Sequence, residues 1–488
     1  MTLHDVIIIS EWFFLLYFIG LHSSYLILNL ISFLKLTRYT QERALDDLPQ
    51  VHSGFEPPIS ILVPAYNEEA NITASIRSLL QMGYPEYEII VINDGSKDRT
   101  MEVLCQEFSL VRFPEVYCDR LPTQEVRAIY RSPTYAQLRV LDKANGGKAD
   151  ALNAGINSAR YTLFCGLDAD SILQRDSLER LVRPFLEDPN MVACGGTVRI
   201  ANGCQVRGGF LVGAGLPSNL LALFQIVEYL RAFLFGRLGW SQMNALLLIS
   251  GAFGLFHTET VIKVGGYRHS TIGEDMELIV RMHRKLRELG QTYRIAYVPD
   301  PVCWTEAPED LKTLRNQRVR WQRGLSDSLY LNLSLMFHRR GGVAGWVAFP
   351  YMVIFEWFGP LIEVIGYVFM ALSFWLGLVS NMALIAFLMM AIGLGLLNSV
   401  TALLLEEISF HIYPCPKHLL ILLLVAAAEN LGYRQLNSFW RLKGLLEWIF
   451  GKQAKWGEMT RKASLHSGDV KTHSHKPTEP SEAVATDS

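Results

Sequence analysis

The apolar residues of this chain form long runs near its two ends and short runs in between. The run over residues 6–34 is long enough to cross a hydrocarbon core, which takes about 20 helical residues. We therefore predict an N-terminal transmembrane helix within residues 1–40. No Lys or Arg precedes the run, whereas three follow it: Lys35, Arg38 and Arg43. By the positive-inside rule, the N-terminus lies outside the cell membrane and the chain that follows enters the cytoplasm.

The pattern over residues 41–340 is that of a soluble domain. Short runs rich in β-branched residues alternate there with helical patterns, at 59–64, 88–92, 138–142 and 162–167. Strands separated by helices predict an α/β fold with a mainly parallel sheet. Ligands of such sheets collect at the carboxyl ends of the strands, where polar and glycine-containing sequence follows each run.

Residues 219–240 have apolar positions at helical spacing, interrupted by Glu228, Arg231 and Arg237. This pattern indicates an amphipathic helix at the membrane surface or beneath the membrane helices. An ordinary helix that faces the protein core fits the same pattern equally well.

The C-terminal part, residues 341–462, contains transmembrane and interfacial helices by the same criteria. Its apolar stretches cover residues 351–378, 382–405 and 418–437. Three full crossings would place the basic residues that follow on the outer side, against the charge rule, so we expect one stretch not to cross fully. The polar residues 463–488 lack aromatic side chains and are predicted to form a disordered tail.

The overall composition narrows the class of protein. Half of the residues are hydrophobic, 19% are charged and the formal net charge is −2. A general nucleic-acid binder needs excess positive charge, so no nucleic-acid partner is expected. Seven scattered cysteines without a C-x-x-C pair indicate neither a disulfide framework nor a zinc site.

Two polar segments follow neighbouring predicted strands. Tyr66 and Glu68 follow the first strand, and Asp94 follows the second. Side by side, these tips can hold a nucleoside, with Tyr66 packed on a ring and Asp94 accepting a hydrogen bond. Helix caps and turns are the more ordinary explanation for such residues when each motif is taken alone.

The glycine turn Gly146-Gly147 precedes Lys148 and lacks the spacing of a P-loop. The glycines permit close backbone approach, and Lys148 can place a point charge on a diphosphate. A plain strand–turn–helix connection remains the alternative.

Two pairs of acidic residues stand at predicted element ends. Asp168 and Asp170 end a strand, and one or two carboxylates plus substrate phosphates commonly hold Mg²⁺. Glu274 and Asp275 begin a helical run, as a helix cap or as a general base for an acceptor hydroxyl. A basic and aromatic cluster with Gln317, Arg320 and Trp321 lies just before the C-terminal apolar stretches.

Together these segments resemble the inverting family 2 glycosyltransferases, above all the membrane-embedded processive type of the hyaluronan, chitin, poly-N-acetylglucosamine and cellulose synthases. The resemblance covers residues 59–324 and rests on the ordered set of Asp94, Asp168-x-Asp170, Glu274-Asp275 and Gln317-x-x-Arg320-Trp321. It implies a GT-A fold, a UDP-sugar donor and a divalent cation, Mg²⁺ or Mn²⁺. Gly273 departs from the Thr or other polar residue of many members.

The resemblance also implies a role for each matching residue. Tyr66, Glu68 and Asp94 would bind the nucleoside, and Lys148 would contact the diphosphate or the uracil. Asp168 would lie at the ribose and metal, Asp170 would ligate the metal, and Asp275 would be the catalytic base beside Glu274. The last motif would supply Gln317 and Arg320 to the diphosphate and Trp321 as a platform for the acceptor sugar.

We therefore expect elongation of a β-linked polysaccharide at the inner leaflet, with membrane lipids around the protein and an accessory membrane or export subunit as a further partner. The nearest alternative is a single addition to a lipid acceptor, so the acceptor is a glycan or a lipid. A scaffold that keeps the fold but has lost the reaction is the remaining alternative.

Overall fold

The computed structural model describes residues 3–46, 55–207, 209–413 and 415–451. The predicted disordered tail at residues 463–488 lies outside the described residues. The strands are β1 (Ile59–Ala65), β2 (Tyr87–Asp94), β3 (Val111–Arg112), β4 (Val126–Arg131), β5 (Leu138–Lys143), β6 (Leu163–Leu167), β7 (Ile172–Leu173), β8 (Met191–Ile200), β9 (Gln205–Arg207), β10 (Phe210–Gly213), β11 (Phe253–His257) and β12 (Arg294–Thr305).

Ten of these strands form one sheet in the order β3-β4-β5-β2-β1-β6-β11-β8-β12-β7, and β9 pairs with β10 in a separate hairpin. The central strands β5, β2, β1 and β6 run parallel, as do β8 and β12. Antiparallel strands complete the sheet on both sides. The predicted α/β fold is confirmed, and its parallel character belongs to the central strands.

The strand register decides where the polar tips lie. Ala65 of β1 is opposite Asn93 of β2, and Asn93 is in turn opposite Asp142 of β5. The carboxyl ends of three parallel strands therefore stop at one edge of the sheet. The side chains behind this edge are buried on both faces of the sheet, for example Val91 on one face and Ile90 on the other, which is why these runs are apolar without interruption.

Helices cover the sheet and continue into the apolar ends of the chain. They are α1 (Leu3–Asp46), α2 (Ile72–Leu79), α3 (Thr100–Glu107), α4 (Lys148–Ser158), α5 (Ser177–Glu187), α6 (Leu220–Glu228), α7 (Arg237–Gln242), α8 (Thr258–Val264), α9 (Glu274–Glu288), α10 (Leu311–Tyr330), α11 (Phe349–Tyr351), α12 (Gly359–Trp375), α13 (Asn381–Leu388), α14 (Leu394–Ser409), α15 (Pro416–Ala428) and α16 (Arg434–Ile449). Asn219 caps α6 and Asp310 caps α10 through their side-chain oxygens.

Three helical segments in the described residues are long and apolar enough to cross a membrane: Asp5–Thr37, Asn381–Ser409 and Pro416–Ile449. A fourth candidate is the pair Ala344–Trp357 and Gly359–Trp375, which bends by 45°. A bend of this kind occurs in a broken span or a re-entrant loop, as expected for one C-terminal stretch. The stretch at 418–437, which carries Glu429 and Arg434, lies instead within Pro416–Ile449, one of the three long apolar segments.

The predicted amphipathic segment 219–240 consists of α6, a π-helical turn at Tyr229–Gly236 and the start of α7. It packs against α14, α15 and the N-terminal helix α1. Its charged side chains point inward, since Arg231 donates to Glu429 of the last apolar segment at 2.8 Å. The segment thus packs against the apolar helices, and its apolar side chains, such as Phe224 and Leu234, belong to the buried core, as the core-facing alternative also predicts.

Candidate active site

The loops after β1 and β2 are joined by hydrogen bonds between their tips. The backbone N–H of Asn67 donates to Ser96 at 3.0 Å, and the Asn67 side chain accepts from the N–H of Lys97 at 2.8 Å. The N–H of Glu68 donates to Thr100 at 2.9 Å. Tyr66 stays 44% exposed at this edge. The structure therefore brings the Tyr66–Glu68 loop next to the loop that Asp94 begins.

The carboxylate of Asp94 is buried and receives four hydrogen bonds. One oxygen accepts from Lys143 at 2.6 Å and from the N–H of Gly146 at 3.0 Å. The other accepts from the N–H of Gly147 at 2.7 Å and from the Asn145 amide at 3.1 Å. The hydrogen bonds to Asp94 therefore fix the conformation of the glycine turn.

This turn needs both of its glycines and delivers Lys148 to the site. Gly147 has φ of 88°, a left-handed conformation that disfavours other residues. A Cβ on Gly146 would overlap the Asp150 carboxyl group. Lys148 follows as the first residue of α4, and its ammonium donates to Asp168 at 2.5 Å.

A single backbone segment links the lysine to the acidic pair at the start of α9. The carbonyl of Gly251 accepts from Lys148 at 3.3 Å, and the N–H of Gly251 donates to Asp275 at 3.1 Å. The other oxygen of Asp275 accepts from the N–H of Met276 at 2.8 Å. Asp168 and Asp275, more than one hundred residues apart in sequence, are thereby brought to the same cleft.

The electrostatics of the cleft follow from three carboxylates, those of Asp168, Glu274 and Asp275, gathered around Lys148. Glu274 is 7% exposed, and its burial, together with the neighbouring charge of Asp275, raises its pKa to about 7 against the opposing charge of Lys148. Burial opposes the charge of Lys148, but Asp168 and Glu274 outweigh this and raise the pKa of the lysine to about 12. Arg320 of α10 is close enough to lower the pKa of Glu274.

A small cavity of about 10 Å³ lies behind these groups. Lys148, Gly251, Tyr267, Glu274 and Asp275 contribute to its walls. A volume of this size holds about one water molecule. The acidic pair and Lys148 therefore line the same small cavity.

Asp168 and Asp170 are half-buried at the end of β6. Within the described part of the chain, no three His, Cys, Asp or Glu side chains are placed to share one ion. Two carboxylates are nevertheless the usual protein contribution to a Mg²⁺ site that phosphates complete. The cation of Lys148 at Asp168 shows that this position already attracts positive charge, so the donor set fits a divalent ion.

The last predicted motif lies on α10, directly against the start of α9. A Cβ on Gly324 would lie 2.8 Å from the Cα of Gly273, so the two backbones touch. The side-chain oxygen of Gln317 is buried and has no hydrogen-bond partner among the described residues. Trp321 packs on Phe233, with 5.8 Å between ring centroids.

Sequence reasoning missed several residues that shape this cleft. Gly251 is the main one, because its two backbone groups join Lys148 to Asp275. Its only signal is the run of small residues Ser250-Gly251-Ala252 between two apolar segments. Lys143 was also missed, since a lysine at the end of a strand is ordinarily read as exposed, whereas here it is fully buried between Asp94 and Asp150.

The profile of the family described as "Glycosyltransferase like family 2" matches residues 57–324. A mannosyltransferase from Pyrobaculum calidifontis, solved with GDP-Man and Mn²⁺, is 18% identical with a TM-score of 0.48, covering 90% of this chain and all of that one.

Among curated relatives, poly-beta-1,6-N-acetyl-D-glucosamine synthases of Staphylococcus aureus are 32% identical over 316 residues. The synthase of Staphylococcus epidermidis is 32% identical over 269 residues, which is 54% of each chain. The S. aureus alignment spans 64% of this chain and 64% of the relative, slightly less than two thirds of its length. Because the family profile covers more than half of this chain, including every motif of the cleft, the protein belongs to the family 2 glycosyltransferases.

Proposed function

We propose that this protein transfers a sugar from a UDP-sugar to an acceptor hydroxyl with inversion, and that it repeats the reaction to elongate a β-linked polysaccharide. The observation that carries the proposal is the convergence of Asp168 and Asp275 on Lys148 and Gly251. One carboxylate belongs to the strand end where a diphosphate is expected, and the other belongs to a helix start where an acceptor is expected. The two halves of a transfer reaction therefore share one cleft.

On the donor side, Tyr66, Glu68 and Asp94 are assigned to the nucleoside. Asp94 acts there through the glycine turn, because its own oxygens are taken by backbone and side-chain donors. Lys148 and Arg320, together with the unpaired amide oxygen of Gln317, are assigned to the region of the diphosphate. These cations oppose the negative charge that the diphosphate gains as the glycosidic bond breaks.

A divalent ion, Mg²⁺ or Mn²⁺, would be held by Asp168 and Asp170 with the diphosphate oxygens. When bound, it supplies Lewis-acid stabilisation of the leaving diphosphate. Lys148 already neutralises one oxygen of Asp168 without the ion. The lysine and the ion thus act on the same carboxylate.

On the acceptor side, Asp275 is assigned as the base. The N–H groups of Gly251 and Met276 hold one oxygen each, which fixes the plane of the carboxylate. As the acceptor oxygen bonds to the anomeric carbon, its proton passes to Asp275 and UDP departs with the electrons of the broken bond. A single displacement without a protein nucleophile inverts the anomeric centre. Trp321 is assigned as the platform under the acceptor sugar.

The relatives named above lead us to infer that the donor is UDP-N-acetylglucosamine and that the product is a β-1,6-linked polymer. We further propose an inner-membrane protein with its N-terminus outside and its catalytic domain in the cytoplasm. The basic residues after the first apolar segment support this orientation. Repeated addition also accounts for a catalytic domain that is packed against the apolar helices.

The test uses the full chain in lipid nanodiscs with Mn²⁺ and four donors, namely UDP-N-acetylglucosamine, UDP-glucose, UDP-glucuronate and UDP-galactose. We expect UDP release with the first donor and a product ladder that reaches high polymer. Asp170→Ala should abolish release, whereas Asp119→Ala, at an exposed position, should leave it unchanged.

A single lipid-soluble product would instead identify the enzyme as a single-addition transferase. Absence of UDP release with all four donors would overturn the proposal in favour of a scaffold. Activity that appears only after copurification with a second membrane protein would establish the accessory subunit as a requirement.

A further inference from the structure

Arg318 lies inside the last motif but points away from the cleft. Its side chain is buried, with 2% exposure, and donates to Glu228 of α6 at 2.7 Å. The hydroxyl of Tyr433 lies 3.4 Å from the same guanidinium nitrogen and itself donates to Glu228 at 3.1 Å. Three elements far apart in sequence therefore meet in one buried polar cluster. We call Glu228, Arg318 and Tyr433 the α6 cluster.

This cluster touches the indole ring assigned to the acceptor. The guanidinium carbon of Arg318 lies 4.4 Å from the centre of the Trp321 ring, a cation–π arrangement. The Trp321 ring also packs against Phe233, which lies in the π-helical segment that continues α6. Trp321 is therefore contacted by Arg318 of its own helix, α10, and by Phe233 of the segment that continues α6.

The cluster also reaches a break in the last apolar segment. Leu431 has φ of −104° and ψ of 51°, and Gly432 has φ of 133°, so helical geometry is lost between α15 and α16. Glu429, before the break, accepts from Arg231 at 2.8 Å. Tyr433, after the break, belongs to the α6 cluster. Both sides of the break are thus tied to the same helical segment, one turn apart.

These contacts form a continuous connection. Tyr433 directly follows Leu431 and Gly432, so a change of their backbone torsions would move its hydroxyl relative to Glu228 and Arg318. Arg318 in turn lies on the Trp321 ring. The Tyr433 ring also stacks on Phe224 of α6, at 4.8 Å between ring centroids, so both its ring and its hydroxyl contact α6.

We propose that Glu228, Arg318 and Tyr433 are positioning residues for Trp321, and that they couple the break in the last apolar segment to the acceptor side of the cleft. The inference rests on the proposed function, since it assigns Trp321 to the acceptor sugar. It predicts that loss of the cluster impairs transfer to an acceptor while cleavage of the donor by water continues.

The test compares Tyr433→Phe and Arg318→Lys with the wild-type full chain in nanodiscs. Tyr433→Phe removes one hydroxyl and keeps the stacked ring. Arg318→Lys keeps the charge beside Glu228 but removes the planar group from the indole. For each variant we measure UDP release without and with acceptor, product length and UDP affinity, using the donor that the wild type turns over.

We expect both variants to lose about tenfold or more in acceptor-dependent transfer, because misplacing a reacting partner by a fraction of an ångström is costly. The products should be shorter, while hydrolysis and UDP affinity stay within about twofold of wild type. Glu406→Gln is the matched control, since Arg199 and Glu406 form another buried pair between the sheet and an apolar helix, joined at 2.7 Å. It should leave the ratio of transfer to hydrolysis unchanged.

An unchanged ratio of transfer to hydrolysis in both variants would overturn the proposal and leave the cluster as an ordinary structural ion pair. The same ratio shift in Glu406→Gln would also overturn it, because any loosened helix would then have the effect. Failure of the proposed function is seen separately, as absence of UDP release or polymer in the wild-type arm.

Discussion

Gly273 and Gly324 touch backbone to backbone, and this contact sets the distance between the start of α9 and α10. A Cβ on Gly273 would lie 2.7 Å from the Cα of Gly324, closer than real Cβ contacts come. Ser328 of α10 also donates to the carbonyl of Gly273 at 3.3 Å. The absence of a side chain at Gly273, a departure from many family members, lets the α10 motif approach Asp275.

Gly324→Ala is therefore expected to push α10 away from α9. We predict a loss of about 100-fold in sugar transfer, because the acceptor platform and the base would separate, with UDP affinity much less affected. Gly393→Ala is the control, since a Cβ there meets no other atom within 4 Å. Full activity in Gly324→Ala would show that the spacing of the two helices does not govern transfer.

Asp275→Asn and Glu274→Gln distinguish the two carboxylates at the start of α9. Loss of a general base lowers the rate by about 10²–10⁴-fold, and we expect this of Asp275→Asn. Glu274→Gln should cost less, because burial raises the pKa of Glu274 to about 7 and glutamine resembles its protonated form. Transfer rates at saturating donor check this order, and the reverse order would make Glu274 the base.

Lys148→Met removes the cation that bridges Asp168 and the carbonyl of Gly251. We predict that the affinity for UDP in the presence of Mn²⁺ falls by at least about tenfold, because this factor corresponds to the free energy of one hydrogen bond to a charged group. Isothermal titration calorimetry measures it directly. Lys263→Met, at an exposed position of α8, serves as the control. Equal affinity in both variants would exclude Lys148 from the donor site.

Asp94→Ala leaves Lys143 buried with a single carboxylate partner, Asp150. Removing one partner of a buried ion pair costs about 3–5 kcal/mol, so thermal unfolding should shift to clearly lower temperature. The glycine turn also loses its acceptor, so UDP binding should weaken in the same variant. If stability is unchanged while UDP binding is lost, Asp94 contacts the nucleoside directly instead of supporting the turn.

The free energy of unfolding should decrease as the pH is lowered, because a buried histidine must then take up a proton. Burial lowers the pKa of His283 to about 4, from 6.5 in the unfolded chain, and its ring nitrogens contact Tyr293 and the Leu246 carbonyl. Between pH 4 and pH 6.5 the histidine is protonated more often in the unfolded state than in the folded state. The contribution of His283 to the free energy of unfolding is therefore fully present above pH 6.5, and up to about 3 kcal/mol of it is lost as the pH falls toward 4.

Thermal unfolding between pH 7.5 and 4.5 measures this dependence, with His283→Asn expected to flatten it. His411→Asn, at an exposed position, should retain the wild-type slope. A slope that is identical in all three proteins would assign the pH dependence to other groups.

The sequence alone determined four central strands, the apolar segments and the acidic motifs. Short apolar runs rich in β-branched residues, separated by helical patterns, are typical of buried strands, and the runs at 59–64, 88–92, 138–142 and 162–167 all appear in the sheet. Local patterns also placed Asp94 and Asp168 at strand ends and Asp275 at a helix start, since these features depend on neighbours in the chain. The antiparallel flanks of the sheet were not foreseen, because strand partners are chosen over long distances.

Only the tertiary structure decided which of these residues meet. Gly251 has no side chain to mark it, yet its two backbone groups join Lys148 to Asp275. The carboxylate of Asp94 turned out to hold the glycine turn, a role that depends on the register between β2 and β5. Arg318 found its partner 90 residues earlier in the chain, on α6. Such pairings depend on tertiary packing and on the free-energy cost of a buried charge without a counter-charge, and neither can be inferred from neighbouring residues in the sequence.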